Sequence, residues 1–336
     1  SAYFMTASLA GLVFAVTLNV VGVDIGKWLS NLGAMAGWAA AFVLIGLGLT
    51  SWLRFGSATP MPASAFVPSV SLKDVIFWST IAFAYGGVES ASSMGEEIHD
   101  ARRTVPRAIV AAAVIITVLY LAGTFSILLA IPHDQVSGLQ GIMQAIEAMS
   151  ARVGVAWLAP LVAAAITLNA LGGVGGWFAA TARLPFVAGI DRFLPPAFAA
   201  LHPRFRTPHV ALLVQAGVSA LFVVLGQAGT SVRGAYDVLV SMSVITYFVP
   251  FLYMFAALIR VQREPADADV IRVPGGPAMA TLFGVMGFAT TSVAIVLACI
   301  PAADEPNQTL AVAKIVGLSA LMLAIGAGVY AAGHAS

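Results

Sequence analysis

Nine runs of about 20 apolar residues, each long enough to cross a hydrocarbon core of about 30 Å as a helix, dominate the 336-residue sequence. They are Ala2–Val23, Leu29–Leu53, Val75–Met94, Ala108–Ile131, Val155–Ala180, His209–Gln227, Tyr236–Leu258, Pro277–Ile300 and Leu310–Ala332. Within them the acidic residues are Glu89 and the span-terminal Asp237, and the basic residue is Lys314. A bilayer offers no water to unpaired backbone groups, so runs of this length predict an all-α integral membrane bundle of nine transmembrane helices. Composition agrees: 60% of residues are hydrophobic and 9% charged, against about 25% charged in a soluble domain.

Charge in the connecting segments predicts orientation. Eleven Lys and Arg fall in one set of alternate loops: Lys27; Arg102, Arg103 and Arg107; Arg183, Arg192, Arg204 and Arg206; Arg260, Arg263 and Arg272. Four fall in the other set: Arg54, Lys73, Arg152 and Arg233. The richer set is expected in the cytoplasm, with the chain start outside and its C-terminus inside. An odd helix number with an outside start reads as a fragment of a multi-pass protein of the plasma or inner membrane. The net charge of +1 gives no footprint for nucleic acid, and one cysteine, Cys299, excludes a disulfide framework. The five histidines lie in loops or at span edges without metal-ligand spacing, and no nucleotide loop or nucleophile motif is present. No cofactor is expected.

The Val75–Met94 span carries the strongest local signal, Phe83-Ala84-Tyr85-Gly86-Gly87-Val88-Glu89-Ser90. Adjacent glycines weaken a helix by roughly 1 kcal/mol each relative to alanine. Beside small polar residues at mid-membrane they predict an unwound segment lining a cavity, with a half-helix restarting near Glu89. Close helix packing is the other use of such glycines. Glu89 is an ionisable group at depth, suited either to carrying a proton during a transport cycle or to tying helices together.

Gly172 and Gly176 form a small-xxx-small face best read as a packing seam, and Trp177 beside them fits a cavity wall or the bundle core. Ser241, Ser243, Thr246 and Tyr247 precede Pro250 as a polar patch before an expected kink. Between Ile131 and Val155, Leu139, Ile142, Met143, Ile146 and Met149 form an apolar face opposite Gln144 and Glu147, predicting a short amphipathic helix on the outer surface. The segment from Arg183 to Pro208 is expected as a loop capping the inner face.

Several of these stretches resemble the amino acid permeases of the amino acid–polyamine–organocation (APC) superfamily. Gly87-Val88-Glu89-Ser90, then Gly95-Glu96-Glu97, then Arg102-Arg103-Thr104-Val105-Pro106-Arg107-Ala108-Ile109 is similar to the family's sixth helix and following loop. Gly172-Gly173-Val174-Gly175-Gly176-Trp177, with Asp191-Arg192-Phe193-Leu194-Pro195-Pro196 and Thr207-Pro208, resembles its eighth helix and the loop to the ninth. Ser241-Met242-Ser243-Val244 through Val249-Pro250 resembles the tenth.

The resemblance implies a twelve-helix inverted-repeat (LeuT-type) transporter of which this chain supplies the fourth to twelfth helices. Residues 1–53 would end the first repeat, 75–258 form the second five-helix repeat and 277–332 the two C-terminal helices of a single transporter domain. It implies a substrate site at Phe83, Ala84, Tyr85, Gly86, Gly87, Trp177 and Ser241, with Phe83 at an aromatic gate, Tyr85 to Gly87 unwound, and Glu89 in coupling. Its function would be secondary active transport of amino acids by alternating access, as proton-coupled symport or exchange. The partners would be a small-molecule amino acid, protons and the bilayer. Two departures bear on coupling. The Leu29–Leu53 span lacks the mid-helix lysine of some proton-coupled members, and the Val155–Ala180 span lacks the clustered hydroxyls of sodium-coupled relatives. A polyamine or organocation carrier and a non-transporting membrane subunit are the alternatives; a second buried carboxylate would favour the former, and Gly86-Gly87 with Glu89 speaks against the latter.

Overall fold

The computed structural model describes residues 2–67, 71–89, 98–227, 231–264, 272–301, 305 and 307–334. Twelve α-helical segments occur among them: α1 (Ala2–Val21), α2 (Val23–Phe55), α3 (Leu72–Val75), α4 (Phe77–Ala84), α5 (Ala101–Ala130), α6 (Gly141–Val153), α7 (Leu158–Thr181), α8 (Arg183–Ile190), α9 (His209–Gln227), α10 (Val232–Val261), α11 (Gly276–Ala298) and α12 (Gln308–His334). Short 3-10 turns complete the regular structure, and no strand occurs among the described residues. Eight helices are long and apolar enough to cross a membrane, the one containing α7 running on through α8. The ninth expected span, Val75–Met94, is instead the eight-residue α4 followed by a turn, and its remainder from Ser90 lies outside the described residues.

The chain divides into two compact units. One comprises Ser69–Ala111 and Phe222–Gly328, and its core joins Val238, Val244, Ile245 and Phe248 of α10 to Ala294 and Ala298 and to Ile315 of α12. The other comprises Ala2–Pro68, Ala112–Leu221 and Val329–Ser336. Its core gathers Ala40, Leu44 and Leu47 of α2, Ala130 and Ile131, Ala145, Ile146 and Met149 of α6, and Val162 of α7. The open carbonyls ending α5 are taken up by the segment after α2: Ala58 N–H donates to Leu129 O at 3.0 Å, Thr59 N–H to Leu128 O at 3.1 Å and Thr59 Oγ1 to Ile131 O at 2.9 Å.

The packing seam expected at Gly172 exists, against α2. A Cβ at Gly172 would lie 2.7 Å from the Leu29 carbonyl oxygen, and one at Gly33 would lie 2.9 Å from that of Leu168. Both obstacles are backbone, so neither glycine tolerates a side chain without the helices separating. Without a hydrophobic force between helices in lipid, such backbone proximity is what holds α2 to α7.

The short amphipathic helix expected between Ile131 and Val155 is present as α6, and two other expectations are corrected. The short helix α6 is docked into its unit's core with Ala145, Ile146, Met149 and Ser150 buried, while Leu139 and Ile142 stay about half exposed. The contact face combines the large side chains of Ile146 and Met149 with the small ones of Ala145 and Ser150. Arg102, Arg103 and Arg107, expected in a loop, lie within the first turns of α5, which starts seven residues early. The expected loop from Arg183 contains α8, whose Pro185 sits within its first turn, where a missing N–H costs no helical bond.

Gly172→Ala is expected to destabilise the folded protein by about 1–3 kcal/mol through overpacking. Gly173→Ala, with nothing within 4 Å of its Cβ, should be neutral or raise stability by up to about 1 kcal/mol through helix propensity. Thermal unfolding of the two variants in the same detergent checks the contrast.

Candidate functional site

Within the first unit, α4 stops at Ala84, inside the run expected to span the membrane. Tyr85 caps it, its N–H donating to Ala82 O at 3.3 Å, and the Gly86 N–H donates to Phe83 O at 2.8 Å. Gly87 adopts φ +100, a conformation that L side chains rarely take, and turns the chain out of the helix. The interruption expected at Tyr85–Val88 is therefore present. Whether a half-helix follows concerns Ser90 onward, outside the described residues.

The turn redirects the Gly87 N–H to side chains. It donates to Tyr247 Oη at 2.7 Å and to Glu89 Oε2 at 3.0 Å. The Tyr247 hydroxyl in turn donates to Glu89 Oε1. One backbone donor, one phenol and one carboxylate thus close a ring of hydrogen bonds at the break, all three residues partly buried.

Tyr247 reaches the break because Gly86 has no side chain. A Cβ on Gly86 would lie 2.8 Å from Tyr247 Cε1 and 3.0 Å from the Phe83 carbonyl oxygen. Phe83, one turn earlier, packs edge-on to Tyr247 with centroids 5.5 Å apart and edge-on to Phe248 at 6.3 Å. Tyr247 also packs on Phe251 at 5.2 Å. The aromatic set holds the phenol over the turn, where it can both accept from the backbone and donate to the carboxylate.

Of the sequence-predicted site residues, Phe83, Ala84, Tyr85, Gly86, Gly87 and Glu89 come together at this turn. Ser241 is half-buried on α10. Trp177 belongs to the other unit and is half exposed there. Tyr247 belongs to the polar patch before Pro250, but its place opposite the glycine pair is visible only in three dimensions. Its neighbours in the patch are engaged within α10: Ser243 Oγ donates to Leu239 O at 2.7 Å and Thr246 Oγ1 to Met242 O at 2.9 Å. Lys314, the basic residue inside a span, donates through Nζ to the Gly226 carbonyl at 3.1 Å, in the last turn of α9, where helix dipole and open carbonyls favour a cation.

A family model described as amino acid permease matches residues 3–321. The chain belongs to the amino acid permease family. Among curated proteins it is 25% identical over 301 residues to an uncharacterized transporter of Legionella pneumophila, covering 87% of this chain and 64% of that protein. It is 25% identical over 303 residues to a glutamate/γ-aminobutyrate antiporter of Lactococcus lactis, covering 85% and 60%. It is 21% identical over 287 residues to a probable agmatine/putrescine antiporter of the same species, covering 85% and 61%. The chain thus spans about three fifths of the length of these relatives. The family named from the glycine–glutamate motif is the family shown.

Tyr247→Phe removes both bonds of the phenol while keeping the aromatic packing, and is expected to lower stability by about 1 kcal/mol. Gly86→Ala forces the ring aside and should lower it further, by about 1–3 kcal/mol. Thermal unfolding with amide exchange across Tyr85–Glu89 checks both, the exchange rising in each variant.

Proposed function

We propose that the protein is a secondary transporter of amino acids or related amines, working by alternating access around the interrupted α4. The observation that carries the reading is a helix broken at Gly87 inside a membrane-spanning run, with the freed N–H held by Glu89 and Tyr247. Irregular backbone at membrane depth is tolerated where protein or a water-filled cavity surrounds it, and such breaks are where transporters bind substrate. In this reading Phe83, Ala84, Tyr85, Gly86 and Gly87 offer aromatic faces and backbone groups to substrate. Trp177 and Ser241 keep the substrate-contacting roles that the family resemblance gives them. Glu89 changes partners or protonation as the cycle proceeds.

Exchange is the favoured mode, since two similar proteins are named antiporters. Proton-coupled symport is the other mode that a buried carboxylate supports. The substrate is an amino acid in the first reading; the agmatine/putrescine relative favours a polyamine as the second. The uneven distribution of Lys and Arg between alternate connecting segments supports a cytoplasmic C-terminus and an outside Ser1, in the plasma membrane. The segments 1–53, 75–258 and 277–332 are assigned to the end of the first repeat, the second repeat and two C-terminal helices.

The test is uptake and counterflow of labelled amino acids, agmatine and putrescine by the full-length protein in proteoliposomes. Saturable counterflow of at least one amino acid is expected, and transport of amines alone would move the substrate class to polyamines. Glu89→Gln keeps the shape and one acceptor oxygen, enough for the Tyr247 hydroxyl, while replacing the oxygen that accepts from Gly87 with an amide and removing the titrating group. It is expected to retain substrate binding while flattening the pH dependence of uptake. An unchanged pH profile at normal expression would leave Glu89 a helix-tying residue.

A further inference from the structure

In the second unit, α7 carries Gly172-Gly173-Val174-Gly175-Gly176 in its interior, four glycines in five residues, yet it is helical from Leu158 to Thr181. Glycine is the weakest ordinary helix former, so this stretch is where α7 should open first. Packing accounts for Gly172, pressed on α2, but not for Gly173: among the described residues nothing lies within 4 Å of a Cβ built there. An alanine would fit at 173 and strengthen the helix, so the glycine there makes the segment soft without serving its contacts.

Two side chains from neighbouring helices hold this segment from outside. Asn19 of α1, 7% exposed, donates through Nδ2 to Ala15 O of its own helix at 2.8 Å and to Gly175 O of α7 at 3.1 Å. Ser30 of α2 donates through Oγ to Gly172 O of α7 at 3.1 Å. In an α-helix those two carbonyls also accept from the amides four residues on, so the side-chain bonds are additional and fall on one turn of the glycine segment. The amide donors of Asn19 are both occupied, one anchoring it to α1 and one reaching α7. Trp177, half exposed, follows the segment directly.

We infer that Asn19 and Ser30 are positioning residues that clasp the glycine segment of α7 in helical form and thereby fix the direction of Trp177. The clasp supplies from α1 and α2 the rigidity that the glycines withhold. Its loss leaves the segment sampling open conformations, so that a substrate must order it on binding and affinity falls. That last step rests on the transport reading above.

The test compares Asn19→Leu, Ser30→Ala and each combined with Gly173→Ala in the full-length protein, by hydrogen–deuterium exchange and by uptake kinetics. Leucine matches the branched shape of asparagine without its donors, and Ser30→Ala tests the clasp by a second route if Asn19→Leu folds poorly. Exchange across Gly173–Thr181 should rise roughly threefold for each lost bond, the equivalent of a typical interhelical hydrogen bond in a membrane, while Leu158–Leu168 stays unchanged. Gly173→Ala should return exchange toward the parent value. KM for uptake should rise about threefold in the single variants with Vmax at constant protein little changed, and fall back with Gly173→Ala. Unchanged exchange in both single variants would overturn the clasp, and raised exchange with unchanged KM would overturn its positioning role. A parent protein without uptake would overturn the transport reading, with exchange still deciding the clasp.

Discussion

A backbone N–H or carbonyl released inside a bilayer has no water to turn to, and each one left open costs several kcal/mol. The break at Tyr85–Gly87 exists only because that requirement is met locally. Gly87 turns its amide out of the helix at φ +100, and Tyr247 and Glu89 receive it. The phenol links the other two partners because a hydroxyl both accepts and donates, which neither phenylalanine nor a second carboxylate does. Gly86 is the spatial condition: without its missing side chain the ring would not reach the turn. The Glu89 carboxylate and the irregular backbone beside it therefore explain each other.

The second unit solves the same problem by the opposite route, keeping its helices whole and joining them by backbone approach. Gly33 and Gly172 let α2 and α7 meet at distances that any side chain would forbid. Ser30 of α2 and Asn19 of α1 each donate to an α7 carbonyl beside that contact. In one unit Gly86 and Gly87 open a helix to chemistry, and in the other Gly33 and Gly172 close a joint. The residues nearby decide which: an acid and a tyrosine in the first case, facing glycines in the second.

Much of this was legible in the sequence because the bilayer imposes length. Eight of the nine apolar runs match helices long enough to span, and the glycine pair with Glu89 marked the one run that is interrupted. What eluded the sequence is the rotational phase of helices whose every face is apolar. Ser241 and Tyr247 lie six positions apart on α10, hence on different faces, and nothing in their surroundings reveals which one meets α4. The same limit blurs the edge of the face expected between Ile131 and Val155. Its apolar periodicity named Ile146 and Met149, both fully buried, but also Leu139 and Ile142, which are not. Where lipid is as apolar as a core, hydrophobicity alone does not report burial: Ile146 and Met149 are buried beside Ala145 and Ser150, and Ile142 is not.

The backbone at Gly87 decides between an interrupted helix and a continuous one. Electron cryomicroscopy of the full-length protein in lipid nanodiscs, at a resolution that shows carbonyl oxygens, examines it directly. The expected map has the helix ending at Ala84, Gly87 at positive φ, and density joining the Gly87 amide, the Tyr247 hydroxyl and the Glu89 carboxylate in at least one conformational state. A helix running through Gly87 with unbroken i→i−4 bonds in every state, and Glu89 turned away from Tyr247, would contradict it.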